Sequence, residues 1–156
     1  MKRVSKVIML FFTESSGAVL IELMLAAPIL LIFTAGIFEI GNIFWQRQQL
    51  QVGVRDAARY LSRCNAVLCD YTSATASARN IALYSSPVAQ TALRVPGWDD
   101  PTSIEISPSA LPASPTATDL ISVSASTPYS GSPFASLLGF TNVTLSYSYS
   151  MRYIGW

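Results

Sequence analysis

Between Ala18 and Trp45 the chain carries only two charged side chains, Glu22 and Glu39. The 16 residues from Leu23 to Phe38 are uncharged and mostly Leu, Ile, Ala and Phe. As a helix rising about 1.5 Å per residue they cover roughly 24 Å, slightly short of a hydrocarbon core of about 30 Å. Adding Ala18–Ile21 and Ile40–Trp45 makes the stretch long enough. Both glutamates then fall near the interfaces, and Phe44 and Trp45 reach the far headgroup level. A membrane-spanning helix is the expectation. Pro28, in the first half of the run, is expected to kink it. A secretory signal peptide is the alternative, with Lys2, Arg3 and Lys6 as its basic start. The run is too long and too late for that, and no small-x-small cleavage site follows it cleanly. Basic residues lie on both sides, so charge counting does not orient the helix.

After Trp45 the pattern turns amphipathic. Leu50, Val54, Ala57, Ala58 and Leu61 recur at helical spacing, and Arg55, Arg59 and Arg63 recur at i, i+4, i+8 on another face. No proline interrupts the span from Ile29 to Ser62. One long helix over about 18–63 is expected, its first half in the membrane and its second half emerging as a stem. The arginine row is either a solvated face or a set of contacts to phospholipid headgroups or to acidic groups on neighbouring copies.

The stem ends at Cys64-Asn65-Ala66-Val67-Leu68-Cys69. Zinc needs about four ligands, and this chain has two cysteines and no histidine. A redox pair is more typically spaced CxxC. In an exported segment the pair is expected to form a small structural disulfide at the helix end. Residues 73–86 then read as a second, shorter helix stopped by Pro87. Three stretches alternate apolar and polar residues: 102–107 with Ile104 and Ile106, 119–127 with Ile121, Val123 and Ala125, and 142–154 with Val143, Leu145, Tyr147, Tyr149, Met151 and Tyr153. Each fits a half-buried antiparallel strand. Three strands alone bury too little, so the apolar face of the stem is their expected cover. The fold class is α+β: a long N-terminal helix, transmembrane half plus amphipathic stem, packed on a small antiparallel sheet of about three strands.

Little in the sequence carries reaction chemistry. Net charge is +1, so no global field selects nucleic acid as a partner. Without histidine no Ser-His-Asp arrangement exists. Asp99 and Asp100, beside Trp98 and Pro101, read as a turn and lack the further oxygen ligands calcium needs. Asn142-Val143-Thr144 matches the glycosylation sequon but lies in an expected strand. The chain is expected not to be an enzyme and to hold no metal or cofactor.

The N-terminal pattern resembles a type IV prepilin. A basic leader ends in Gly17, an apolar helix begins at Ala18, and a glutamate, Glu22, stands fifth after the glycine. The run "ELMLAAPILLIFTAGIFEIGNIFWQRQQLQVGVRDAARYL" resembles more specifically the TadE-like pseudopilins of the tight-adherence (Flp) pilus system. Pro28 stands six residues after Glu22, a Gly-x-x-Glu-x-Gly stretch runs from Gly36 to Gly41, and a Gln-rich, Ala-Ala-Arg stem follows. The apolar leader run Val7–Phe12 departs from the short polar leaders of that family. The resemblance covers about residues 15–63. It implies a prepilin leader over 1–17, a transmembrane helix over 18–45, a stem over 46–63 and a periplasmic α+β head over 64–156. It implies cleavage by prepilin peptidase between Gly17 and Ala18, an N-in helix in the bacterial inner membrane, and partnership with other pilins, pseudopilins and the pilus assembly machinery. The implied role is that of a minor pseudopilin in assembly of a pilus for adhesion and surface colonisation.

The physics of Glu22 agrees with that role. An ionised carboxylate in hydrocarbon is costly unless paired. Cleavage would create an ammonium on Ala18, one helical turn away, able to meet Glu22 on a neighbouring subunit or on the same one. The alternative is a glutamate solvated near the interface. Glu39, at the opposite interface, is expected to need no special partner. A different functional class is a membrane-anchored extracytoplasmic adhesion module that does not assemble into a pilus, its head rich in Ser, Thr and Tyr and its exposed tyrosines stacking on sugars.

Overall fold

A computed structural model gives the fold. It describes residues 15–65, 68–112, 115–140 and 142–155, so most of the expected leader, including Val7–Phe12, lies outside the described residues. The chain divides into two units, Met1–Ile40 and Gly41–Trp156. Helix α1, Ser15–Ser62, contributes to both.

In the first unit almost every large apolar side chain of α1 is exposed, among them Leu23, Met24, Leu25, Leu30, Leu31, Phe33, Ile37 and Phe38. Water does not favour so much contiguous apolar surface on a helix, and hydrocarbon does. By length and composition this is the one helix among the described residues able to cross a membrane. Its few polar groups are handled locally. Thr34 Oγ1 donates to the Leu30 carbonyl at 2.7 Å, so the hydroxyl does not face an apolar surround unpaired. Pro28 lies inside the helix and cannot donate to the carbonyl four residues back.

In the second unit the stem's apolar stripe forms the floor of a core. Leu50, Val54, Ala57, Ala58 and Leu61 are fully buried in one cluster with Ile104, Ile121, Val123, Ala125 and Leu145. Full burial of each such Leu, Ile or Val is worth roughly 1.5–3 kcal/mol. Helix α2, Tyr71–Tyr84, adds Ala74, Ala78, Ala82 and Leu83 to the same cluster. It begins two residues earlier than its pattern suggested, because Asp70 caps it: the carboxylate accepts from the Thr72 and Ser73 amides at 3.2 and 3.1 Å. It also ends before Pro87. Ser85 takes the left-handed conformation, φ 63°, and its N–H bonds the Ile81 carbonyl, so the helix is closed before the proline is reached.

The strands are β1 (Ile104–Ser107), β2 (Leu120–Pro128) and β3 (Thr144–Arg152), in the order β1-β2-β3 and antiparallel throughout. The α+β architecture with a three-stranded antiparallel sheet is therefore the observed one. β1 starts at Ile104 because Pro101–Ser103 is a 3-10 turn, capped by Asp100 through the Thr102 amide at 2.8 Å. β3 starts at Thr144, so Asn142 of the sequon is exposed ahead of the strand and not within it. Register separates the two faces. Val123 lies opposite Tyr149 and Ala125 opposite Tyr147 on the core side, while Ser122 faces Ser150, Ser124 faces Ser148 and Ser126 faces Ser146 on the other. The chain then returns to α1: the Ile154 amide bonds the Ser62 carbonyl at 2.9 Å, and the buried Tyr153 hydroxyl donates to the Cys64 carbonyl at 2.7 Å.

Candidate assembly helix and stem

α1 positions Gly17, Ala18, Glu22, Pro28, Arg55 and Arg59, and Arg63 follows its last residue. Gly17, Ala18, Glu22 and Pro28 lie within its first four turns. Ala18 and Glu22 are both exposed and stand at i, i+4, a spacing that puts side chains about 5–6 Å apart on one helix face. Glu39 departs from the expectation that it needs no special partner. It is buried, 2 % exposed, and it is engaged in a polar contact. A carboxylate at that depth would be costly without one.

Where the stem begins, a polar cluster fixes α1 to the β2–β3 connection. Gln46, 1 % exposed, donates from Nε2 to the Ser130 carbonyl at 2.8 Å and accepts the Ser130 amide at Oε1, 3.3 Å away. Its Nε2 also lies 3.3 Å from Asn42 Oδ1, and Asn42 Nδ2 donates to the Tyr129 hydroxyl at 2.9 Å. The side-chain amide of Gln46 thus stands in for a strand neighbour of Ser130, and the pair of bonds satisfies the buried amide group of Gln46 itself. The sequence reading missed this pair. Its only sequence signal was Asn42 and Gln46 sharing a helix face with the apolar stripe of the stem.

The arginine row divides by environment. Arg55 Nε donates to the Tyr147 hydroxyl at 3.1 Å, and its guanidinium lies 5.5 and 5.8 Å from the ring centres of Tyr147 and Tyr149. That is cation–π geometry, and it closes the core beneath β3. All three arginines are exposed, and it is their contacts that differ. With Asp56, Tyr60, Cys64, Asn65 and Cys69, Arg59 and Arg63 line an open groove of about 440 Å³. Cys64 and Cys69 form a disulfide, their Cα atoms 5.6 Å apart.

Two further features escaped the sequence reading. Arg94 is almost buried and pairs with Asp56 of the stem, Nη2 to Oδ2 at 3.1 Å. Gly53 sits where α1 meets α2, so close that a Cβ would stand 2.6 Å from the Ala82 carbonyl oxygen. A glycine inside an amphipathic helix was the available signal for such an approach. Electrostatics elsewhere serve caps. The Asp70 carboxyl is held below its ordinary value by the Ser73 amide and hydroxyl and the Thr72 amide. Asp100 is held down by the Thr102 hydroxyl and amide. Burial raises the Tyr71 hydroxyl, which donates to the Pro108 carbonyl.

Tyrosines are less available than the alternation suggested. Tyr153 is buried, and Tyr147 and Tyr149 are half-buried under Arg55. The outer face of the sheet is instead a hydroxyl surface. Thr102, Ser103, Glu105, Ser124, Ser126, Ser146 and Ser148 line an open depression of about 580 Å³ there. Among the described residues no group of three or more His, Cys, Asp or Glu side chains is placed to hold a metal ion.

Neither the curated proteins nor the solved structures include a match to this chain. Residues 17–59, which run from the expected cleavage glycine through Glu22, Pro28 and the stem to Arg59, match the family described as TadE-like protein, consistent with a TadE-like protein of the tight-adherence system.

Proposed function

We propose that this chain is a minor pseudopilin of the tight-adherence pilus, a structural subunit and not a catalyst. Prepilin peptidase cleaves it between Gly17 and Ala18. α1 then holds it in the inner membrane with the N-terminus cytoplasmic and the head periplasmic, from where it joins other pilins and the assembly machinery. The observation that carries this reading is Glu22: an exposed carboxylate one turn from Ala18, on an apolar helix whose sequence matches the TadE-like family over 17–59. A new ammonium at Ala18 supplies the partner that makes such a charge tolerable in hydrocarbon. Mass spectrometry of the membrane form tests the processing step. The expected mature chain starts at Ala18, and any other N-terminus overturns it. Glu22→Ala is expected to abolish piliation while the head stays folded.

The stem arginines fit protein partners better than lipid. With Trp45 at the interface and α1 upright, Arg59 and Arg63 stand roughly 21 and 27 Å beyond it at about 1.5 Å per residue. Phospholipid charge is screened within about 8 Å at physiological salt.

A second reading, an anchored adhesion module that does not polymerise, is favoured by the hydroxyl-lined depression on the outer sheet face. Here Glu22→Ala would leave surface binding intact, while replacing Ser124 and Ser148 with bulky residues would remove it.

A further inference from the structure

The sheet has two edges, and they are not alike. β1 is four residues long, follows a 3-10 turn that begins at Pro101, and is followed at once by Pro108. Short length and flanking prolines blunt an edge against further pairing. β3 is nine residues long, holds no proline, and carries one charge, Arg152, at its end. Its whole length pairs with β2 on one side.

The register identifies which backbone groups of β3 are free. In an antiparallel pair, residues alternate between those that bond across and those that point away. The ladder continues past both ends through Tyr129 N–H to Val143 carbonyl at 2.8 Å and Tyr153 N–H to Asp119 carbonyl at 2.9 Å. Odd-numbered residues of β3 therefore bond β2. Pro128, which has no N–H to give, lies opposite the even-numbered Thr144, in keeping with that phase. Thr144, Ser146, Ser148, Ser150 and Arg152 turn their N–H and C=O groups outward. Among the described residues no backbone partner takes them.

The surface beside this edge has a definite chemistry. On the core side, α1 presents Phe44 and Arg47 next to Val143, Thr144 and Leu145, around a cleft of about 270 Å³. Farther along, Arg55 lies against Tyr147 and Tyr149. Arg47 is exposed, with no acidic partner among the described residues. On the other side of β3 lie the small hydroxyls of Ser146, Ser148 and Ser150, with Glu105 farther across the sheet on β1.

We infer that the β3 edge is a docking site for an extended segment of another protein, added to the sheet as a fourth strand, with carboxylate side chains on its α1-facing side to meet Arg47 and Arg55. Main-chain hydrogen bonds to the even-numbered residues supply the binding, and the two arginines select an acidic partner over a basic one. A second copy of this chain does not fit. β3 itself contains no acid, and the Glu105 carboxylate of β1 belongs to the hydroxyl face, away from the arginines. The inference stands apart from processing at Gly17, because it uses only residues of the second unit.

The test is residue-resolved amide exchange on the full chain in detergent micelles. In the isolated protein the amides of 144, 146, 148, 150 and 152 are expected to exchange much faster than their odd-numbered neighbours. A nine-residue peptide alternating Thr and Glu is expected to slow the even-numbered set at least roughly tenfold, and the same peptide with Lys in place of Glu is not. Ser148→Pro removes an outward N–H without touching the β2 ladder, so it is expected to abolish protection while thermal unfolding stays near the parent value. Arg47→Glu is expected to shift preference toward the Lys peptide, and Arg55→Glu likewise where it folds. Even-numbered amides already as protected as the odd ones at low protein concentration would overturn the inference. So would protection that appears on raising protein concentration alone, which would make a second copy the occupant, or protection by both peptides alike.

Discussion

Gly53 and Gly41 lie in the same helix, and replacing each with Ala is expected to change stability in opposite directions. In a helix interior Ala is favoured over Gly by about 1 kcal/mol. At Gly41 nothing lies within 4 Å of a new Cβ, so Gly41→Ala should gain most of that. At Gly53 the Cβ would stand 2.6 Å from the Ala82 carbonyl oxygen and 3.3 Å from Arg94 Cδ. The oxygen is backbone and cannot rotate aside. Reaching ordinary contact at 3.4 Å needs α1 and α2 to part by 3.4 − 2.6 = 0.8 Å. A gap of that size forfeits a quarter to a half of the dispersion attraction, here among Val54, Ala57, Ala78, Ala82 and Leu83, all fully buried. Overpacking of this kind costs about 1–3 kcal/mol. Set against the propensity gain, Gly53→Ala should destabilise the head by up to about 2 kcal/mol, or up to roughly 8 °C in Tm for a unit of this size. Thermal and denaturant unfolding of both variants, followed by near-ultraviolet dichroism, measures the difference. If Gly53→Ala proves as stable as Gly41→Ala, the close approach of α1 to α2 is wrong.

Gln46→Leu keeps the volume of the side chain but strips the Ser130 amide and carbonyl of their partners; a loss of about 2–3 kcal/mol is expected in denaturant titration, and a neutral result would mean water replaces the amide. Reducing Cys64–Cys69 removes a constraint on a six-residue loop, which the chain-entropy relation puts at about 2 kcal/mol; the same unfolding curve with and without reductant reads it. Asp70 has a depressed folded-state pKa, so its contribution is present above its unfolded value of about 3.9 and is lost as pH falls through the lower folded one. Asp70→Asn keeps a capping acceptor without the charge, so its Tm should fall less than the parent's between about pH 4 and pH 2, and equal slopes would refute the assignment.

Sequence alone determined the elements of this protein because each was written in a local period. The uncharged run with two glutamates could only be one long apolar helix. The 3.6-residue stripe of Leu50, Val54, Ala57 and Leu61 and the two-residue alternation in 104–106, 121–125 and 143–153 named the two faces that meet in the core. The Gly17–Glu22–Pro28 spacing and the stem pattern gave the family resemblance, which the match over 17–59 bears out. The ends of elements were less legible. Asp70 and Ser85 moved α2, because caps depend on single side-chain bonds and one left-handed residue, not on periodicity. Long-range pairings were not legible at all. Gln46 with Ser130, Asp56 with Arg94, Gly53 against Ala82 and Arg55 over Tyr147 join residues 29 to 92 positions apart. No local pattern encodes such partners, since which groups meet follows from how α1, α2 and the sheet stack. The same stacking buried Tyr153, put Arg55 over Tyr147 and Tyr149, and left β3 as the long open edge. Strand order is a tertiary choice: had β3 lain between the other two, the identical sequence would have presented no such edge.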